Sequence, residues 1–186
     1  MAKKPYTDTD KGMNKILEEM AKLKNMYAKV GFPDNDDSSG DVRIAQYAYW
    51  NENGVTSTNN VLKKGKVWEL PPRPFMSQAV DNNEEQIKQT GEKLVKMVSE
   101  GKIDARTAVR RNAENMVNLI KNSIKNGDFK ENSDITINGT TPGKDGKQFI
   151  RGKRSTKPLI DSGLMRDSVM YQIIEGEAIV EEGGKK

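Results

Sequence analysis

The sequence has 186 residues, of which 34% are hydrophobic and 31% charged, a polar balance for a globular domain whose apolar share is ordinarily nearer half. It contains no cysteine and no histidine, which excludes disulfides, thiolate chemistry, zinc–thiolate sites and every Ser–His–Asp or Cys–His arrangement. The formal net charge of +4, from 31 basic and 27 acidic residues, is too mild and too mixed in sign to mark a nucleic-acid binder.

These bounds lead to one domain over residues 1–186 with a thin core, part of whose apolar surface is covered by partner subunits. Aromatic residues make up 6%, too few for a deep apolar cofactor pocket, so no cofactor and no metal are expected. Met1–Asp10 carries lysines but no apolar segment of a secretory signal. No apolar run approaches the roughly 20 residues that cross a bilayer, so a soluble chain with no membrane contact is expected.

Taken in chain order, Met13, Ile16, Leu17, Met20 and Leu23 fall on one helical stripe. Ala28, Val30 and Phe32 then alternate with Lys29 and Gly31, predicting a strand stopped by Pro33. Asp34–Asp41 reads as an acidic loop. Val42–Trp50 predicts a short helix with Ile44, Ala45, Ala48 and Tyr49 inward, ending near Gly54. Lys66–Leu70 predicts an edge strand. Pro71-Pro72-Arg73-Pro74 is stiff and fits neither a central strand nor a helix interior.

A long helix is expected from Pro74 to Gly101, with Met76, Val80, Ile87, Leu94 and Val98 on its stripe. Asp104 is the expected N-cap of a second long helix, striped by Ala105, Val109, Ala113, Met116, Ile120 and Ile124 and stopped at Gly127. The short link between them predicts an antiparallel helical hairpin. Residues 128–157 read as a long loop with a short strand at Asp134–Asn138, its positive charge concentrated between Lys144 and Lys157. Pro158–Met165 reads as a turn into a short helix, and Ser168–Ile174 and Ala178–Val180 as a hairpin. Residues 1–10 and 181–186 are expected to be flexible ends. The fold class is α+β, a small, mostly antiparallel sheet packed by a long two-helix antiparallel hairpin, with extended loops.

Candidate chemistry is sparse. Asn35, Asp37 and Ser39 alternate before Gly40, but Asn35 and Gln46 stand where a calcium loop needs its first carboxylate and its bidentate glutamate. Gly139–Lys147 is glycine-rich but lacks the Gly-Lys-Ser/Thr ending of a phosphate loop. Glu18/Glu19 and Glu84/Glu85 are neighbours on helices and point in different directions, so neither is an acid–base pair. The helical methionines read as packing residues. Lys144, Lys147, Arg151, Lys153, Arg154 and Lys157 form a basic stretch, read as a solvated or subunit-contacting loop. Its alternative reading is a DNA-binding accessory protein, because phosphate contacts need only positioned Lys and Arg.

A series of segments carries a resemblance. Tyr27-Ala-Lys-Val-Gly-Phe32 is followed by Ile44–Gly54, which holds Ala48-Tyr-Trp-Asn-Glu-Asn-Gly54; Leu70-Pro-Pro-Arg-Pro-Phe-Met76 then opens a long helix. Lys157-Pro-Leu-Ile-Asp-Ser-Gly-Leu-Met165 and Ser168-Val-Met-Tyr171 close the series. The ordered set resembles the small neck, tail-completion and virion-morphogenesis proteins of tailed bacteriophages, over about Tyr27 to Tyr171. The resemblance implies a non-enzymatic structural virion protein at the head–tail junction, assembled in the bacterial cytoplasm. It implies partners that are other copies of the chain in a ring, a hexamer or dodecamer, and neighbouring connector, tail-terminator or tail-tube proteins. Non-specific contact with DNA in the channel is part of the same expectation, and a tail terminator or head-closure protein is the alternative neck position. Assembly contacts are expected at Trp68, Pro72, Arg73, Pro74, Phe75, Arg151, Lys153, Arg154, Leu159 and Leu164. The stretches Gly54–Leu70 and Gly139–Lys157 are longer than the family's pattern.

Overall fold

The computed structural model describes residues 12–33, 38–39, 42–57, 68–132, 137–139, 152, 156–159 and 163–184. The helices are α1 (Met13–Lys24), α2 (Ile44–Asn53), α3 (Phe75–Asp81), α4 (Glu84–Ser99), α5 (Ala105–Asn126) and α6 (Leu164–Asp167). The strands are β1 (Met26–Gly31), β2 (Ser38–Ser39), β3 (Val42–Arg43), β4 (Val55–Ser57), β5 (Trp68–Leu70), β6 (Met170–Glu175) and β7 (Ala178–Gly183). The fold is α+β, as its patterns predict. No helix of the described residues is long and apolar enough to cross a membrane.

Helix α5 is the spine. Its start is fixed by Asp104, whose carboxylate accepts the Thr107 N–H at 2.7 Å, satisfying one of the donors that a helix start leaves open. Ala105, Ala108, Ala113, Val117, Ile120 and Ile124 are buried along it. The observed stripe follows the expected one except that Val117 replaces Met116, and Val109 is half-buried at its margin. Near its start α5 packs on α4 and α1, where Leu94, Val98 and Ala108 form a small cluster flanked by Met20, Leu23 and Ile103. Further along it meets the sheet, and Ala113, Val117, Ile120 and Ile124 join Ile173, Tyr171 and Phe75 in the main core.

The principal sheet is antiparallel in the order β1-β6-β7. Ala28 lies opposite Ile173 and Val30 opposite Tyr171, and all four belong to the core packed by α5. On the same face Glu181 of β7 meets Arg110 of α5 at 3.6 Å. The expectation of a flexible end is therefore corrected for residues 181–184. Glu181, Glu182 and Gly183 pair with Ile173, Gln172 and Tyr171, and the Gly184 carbonyl accepts the Lys121 ammonium at 2.6 Å. Period-two alternation, which brings Glu181 inward to a cation, outweighs the polar composition of this segment.

A second correction concerns the helix expected from Pro74 to Gly101. It is broken at Asn82-Asn83. The Asn83 N–H donates to Val80 O at 3.0 Å, a tightened turn, and the Asn83 amide donates back to Ala79 O at 2.9 Å. Asn competes for backbone partners in this way and is a poor helix-interior residue. The break also resets the stripe. Phe75 and Ala79 are buried in α3, whereas Val80 is 44% exposed; Leu94 and Val98 are buried in α4 as expected. Three smaller departures complete the comparison. In α1, Met13 and Leu17 are exposed and only Ile16, Met20 and Leu23 turn inward. In α2, Tyr49 is exposed at 65% and Tyr47 packs on the core in its place. Ile137 and Asn138, within the expected strand Asp134–Asn138, lie in a helical turn. The acidic loop residues Asn35 and Asp37, most of the basic stretch, and the expected flexible residues 1–10 lie outside the described residues.

Candidate assembly site

The stiff tetrapeptide Pro71–Pro74 joins β5 to α3, and its Arg73 points inward rather than to solvent, 6% exposed. Proline on both sides restricts the backbone here, so the arginine is presented in one direction. Its N–H donates to Asn51 O at 2.7 Å. Its guanidinium donates to Lys130 O at 3.3 Å, to Asn51 Oδ1 at 3.4 Å and to Asn132 Oδ1 at 3.1 Å. Asn51, 1% exposed, is held in turn by donating its amide to Tyr47 O at 2.8 Å. Asn132 extends the lock to the third segment: its N–H donates to Thr156 O at 3.1 Å and its amide to Lys157 O at 3.0 Å.

Arg73 thus ties together α2, the elbow, the segment after α5 and the approach to α6. Its charge is met by neutral oxygens alone, since no carboxylate of the described residues pairs with it. Burial accordingly pushes its pKa below the ordinary arginine value, with Tyr47 opposing. Guanidinium remains the right group for this place, because a planar fork of five donors can serve three divergent acceptors where an ammonium cannot.

Glu52, the next residue, does a second job. Helix α3 starts after Pro74 with no capping side chain of its own. The Glu52 carboxylate supplies the missing acceptors: Oε2 takes the Met76 N–H at 2.8 Å, and Oε1 takes the Ser77 N–H at 2.9 Å and the Ser77 hydroxyl at 2.7 Å. A carboxylate at a helix N-terminus also complements the positive end of the helix dipole. Gly54 closes α2 with φ 73°, and a Cβ there would stand 2.9 Å from Leu70 O and from Pro72 N. Only glycine lets the elbow lie so close. Just after β1, Phe32 sets its ring edge-on against Phe75 with centroids 6.0 Å apart.

The Val30-Gly31-Phe32, Ala48–Gly54, Pro71–Phe75 and Pro158-Leu159 segments therefore meet at one end of the molecule. Pro158 is buried and Leu159 is packed against the main core with φ 62°. This convergence corrects the expected contact list. Phe75 is fully buried and Arg73 nearly so, so both are spent on packing within the chain. Pro72 is exposed, Pro74 half-buried and Leu164 39% exposed. Trp68 places its backbone in β5 opposite Ser57. Arg151, Lys153 and Arg154 lie outside the described residues. Sequence reading missed Asn51, Glu52 and Asn132 as partners of the elbow. The signal was available in Asn51, which continues the inward spacing of Ile44 and Ala48. A comparison with known proteins finds no matching family model, no matching curated protein and no matching solved structure.

Proposed function

We propose that this chain is a structural protein of a tailed-phage particle, acting at the head–tail junction and joining or closing the tail tube to the connector through ring-type subunit contacts. The observation that carries the reading is the ordered motif set. Its segments, far apart in sequence, serve one construction, in which Glu52 and Asn51 of the first helical motif cap and clamp the Pro71–Phe75 elbow. The exposed remainder, including Pro72 and Leu164, is then available to neighbours in the particle.

The test is cryo-electron microscopy of intact particles produced by a host carrying the gene. Density for this fold is expected at the top of the tail or between connector and tail, in several copies around the axis. A chain absent from purified particles, or present at a position away from the neck, would refute the proposal.

A further inference from the structure

We infer that the two outer edges of the β1-β6-β7 sheet, unpaired among the described residues, are built to pair with each other between neighbouring copies, β7 of one against β1 of the next. The inference deepens the ring reading above by naming its surface and rests on that reading for the expectation that copies surround an axis.

The helices cover one face of the sheet; the opposite face carries two rows that run from edge to edge. In the first row Tyr27 lies opposite Ile174, which lies opposite Ile179. Ile174 is buried, but the residues at the two ends are 49% and 54% exposed. In the second row Lys29 lies opposite Gln172, which lies opposite Glu182. Gln172 donates its amide to the Glu182 carboxylate, and among the described residues Lys29 has no ion pair. Each row thus ends on partners that suit one another: an aromatic and an aliphatic in one, a cation and an anion in the other.

The backbone is ready on the β1 side. Gly176 N–H donates to Asn25 O, which fixes the antiparallel alternation so that Tyr27 and Lys29 bond to β6. The N–H and C=O groups of Met26, Ala28 and Val30 then point to the open edge. A lysine on an edge strand ordinarily guards against indiscriminate pairing. Here the opposite edge offers a carboxylate in the same row, so the lysine selects that edge and rejects a second lysine edge.

Rotation about an axis along the strands gives the pairing its register. Such a rotation moves a copy sideways and leaves each row at its own height. Because β1 and β7 run parallel within the sheet, β7 meets the next β1 in parallel, with Ile179 beside Tyr27 and Glu182 beside Lys29. The contact is head-to-tail, and repetition closes a ring when the rotation divides a full turn.

The chain has no native cysteine, so the pairing can be trapped cleanly. The K29C/E182C chain, mildly oxidised, is expected to give a ladder of disulfide-linked dimers, trimers and larger species on a non-reducing gel, with neither single-cysteine chain passing dimer. By native mass spectrometry K29E and E182K should each lose most of the association, and K29E/E182K should recover it. No ladder beyond the single-cysteine controls overturns edge pairing, as does a K29C chain that dimerises as fast as the double variant. Rings that survive both single charge reversals also overturn it while leaving the neck reading intact; absence of the chain from the neck in particles would instead remove that reading.

Discussion

Two ends of the molecule hold their segments by different means. At the elbow end, four stretches of chain meet around Phe75 and Arg73, and both side chains are enclosed. At the hairpin end, α1, α4 and α5 share a cluster of three buried residues, Leu94, Val98 and Ala108, with Met13 and Leu17 left outside. There the polar contacts lie at the margin: Glu19, half-buried, accepts the Ala105 N–H at 2.9 Å and pairs with the exposed Lys22 at 2.7 Å. The first end resists change because each group fills a place that no other can fill. The second is held by periodicity and caps, which are weaker one by one.

The comparison breaks most sharply at Phe75. Replacing it with Ala removes a fully buried ring and its edge contact with Phe32, and should cost about 3–5 kcal/mol. Denaturant titration of the purified chain measures this directly. The equivalent truncation at the hairpin end, Val98→Ala, should cost clearly less, about 1–2 kcal/mol, because fewer methyl groups are lost. Equal losses at the two ends would remove the distinction.

Next in size is Arg73. Arg73→Met keeps much of the apolar stem but strands Asn51 Oδ1 and weakens the hold on Asn132 and Lys130. About 2–3 kcal/mol is expected, the cost of leaving buried acceptors unpaired. Arg73→Lys should recover less than half of it, since one ammonium cannot reach three divergent oxygens. If the methionine variant is as stable as the parent, then the neutral lock contributes nothing beyond packing. Glu52→Ala follows, at about 1 kcal/mol, the usual worth of a helix cap. Its mark is local: hydrogen exchange at Met76 and Ser77 should accelerate while α5 stays protected.

The same contrast explains what could be read from sequence. The hairpin end was legible, because a three-and-four spacing in α5 and an Asp104 cap are local signals that tertiary contacts leave in place. The sheet register was half legible. Alternation found β1 and β6, yet Glu181 and Glu182 looked like a polar tail, because the pairing that makes them strand residues lies across a hairpin and on Arg110. The elbow was visible as a stiff, proline-bounded turn, but the direction of Arg73 was not. Its partners stand 22 and 59 positions away, and nothing local says that an arginine beside two prolines faces inward. The α3 stripe failed for a related reason. Glu52 caps the helix from another element and fixes which face, Phe75 and Ala79, turns to the core.

The smallest expected effect is acid sensitivity, and it belongs to the hairpin end. The Lys22 ammonium first, and the Ala105 N–H second, hold the Glu19 carboxyl below its ordinary value of 4.5. The Thr107 N–H does the same for Asp104, below its ordinary 3.8. A carboxyl whose folded pKa is depressed binds fewer protons folded than unfolded between the two values, so its stabilisation is present above the unfolded pKa and is lost as pH falls through the folded one. Loss should therefore begin as pH drops past about 4.5 and continue below 3.8, amounting to a few tenths of a kcal/mol for each group, given their solvent exposure. Hydrogen exchange should show the first turn of α5, where Glu19 and Asp104 accept N–H groups, opening in that window before the Arg73 lock, whose acceptors on Asn51, Lys130 and Asn132 are neutral oxygens that do not titrate. Glu19→Gln should flatten the response of the Ala105 amide. If the elbow opens first on acidification, the two ends are held in the opposite order to the one argued from their contacts.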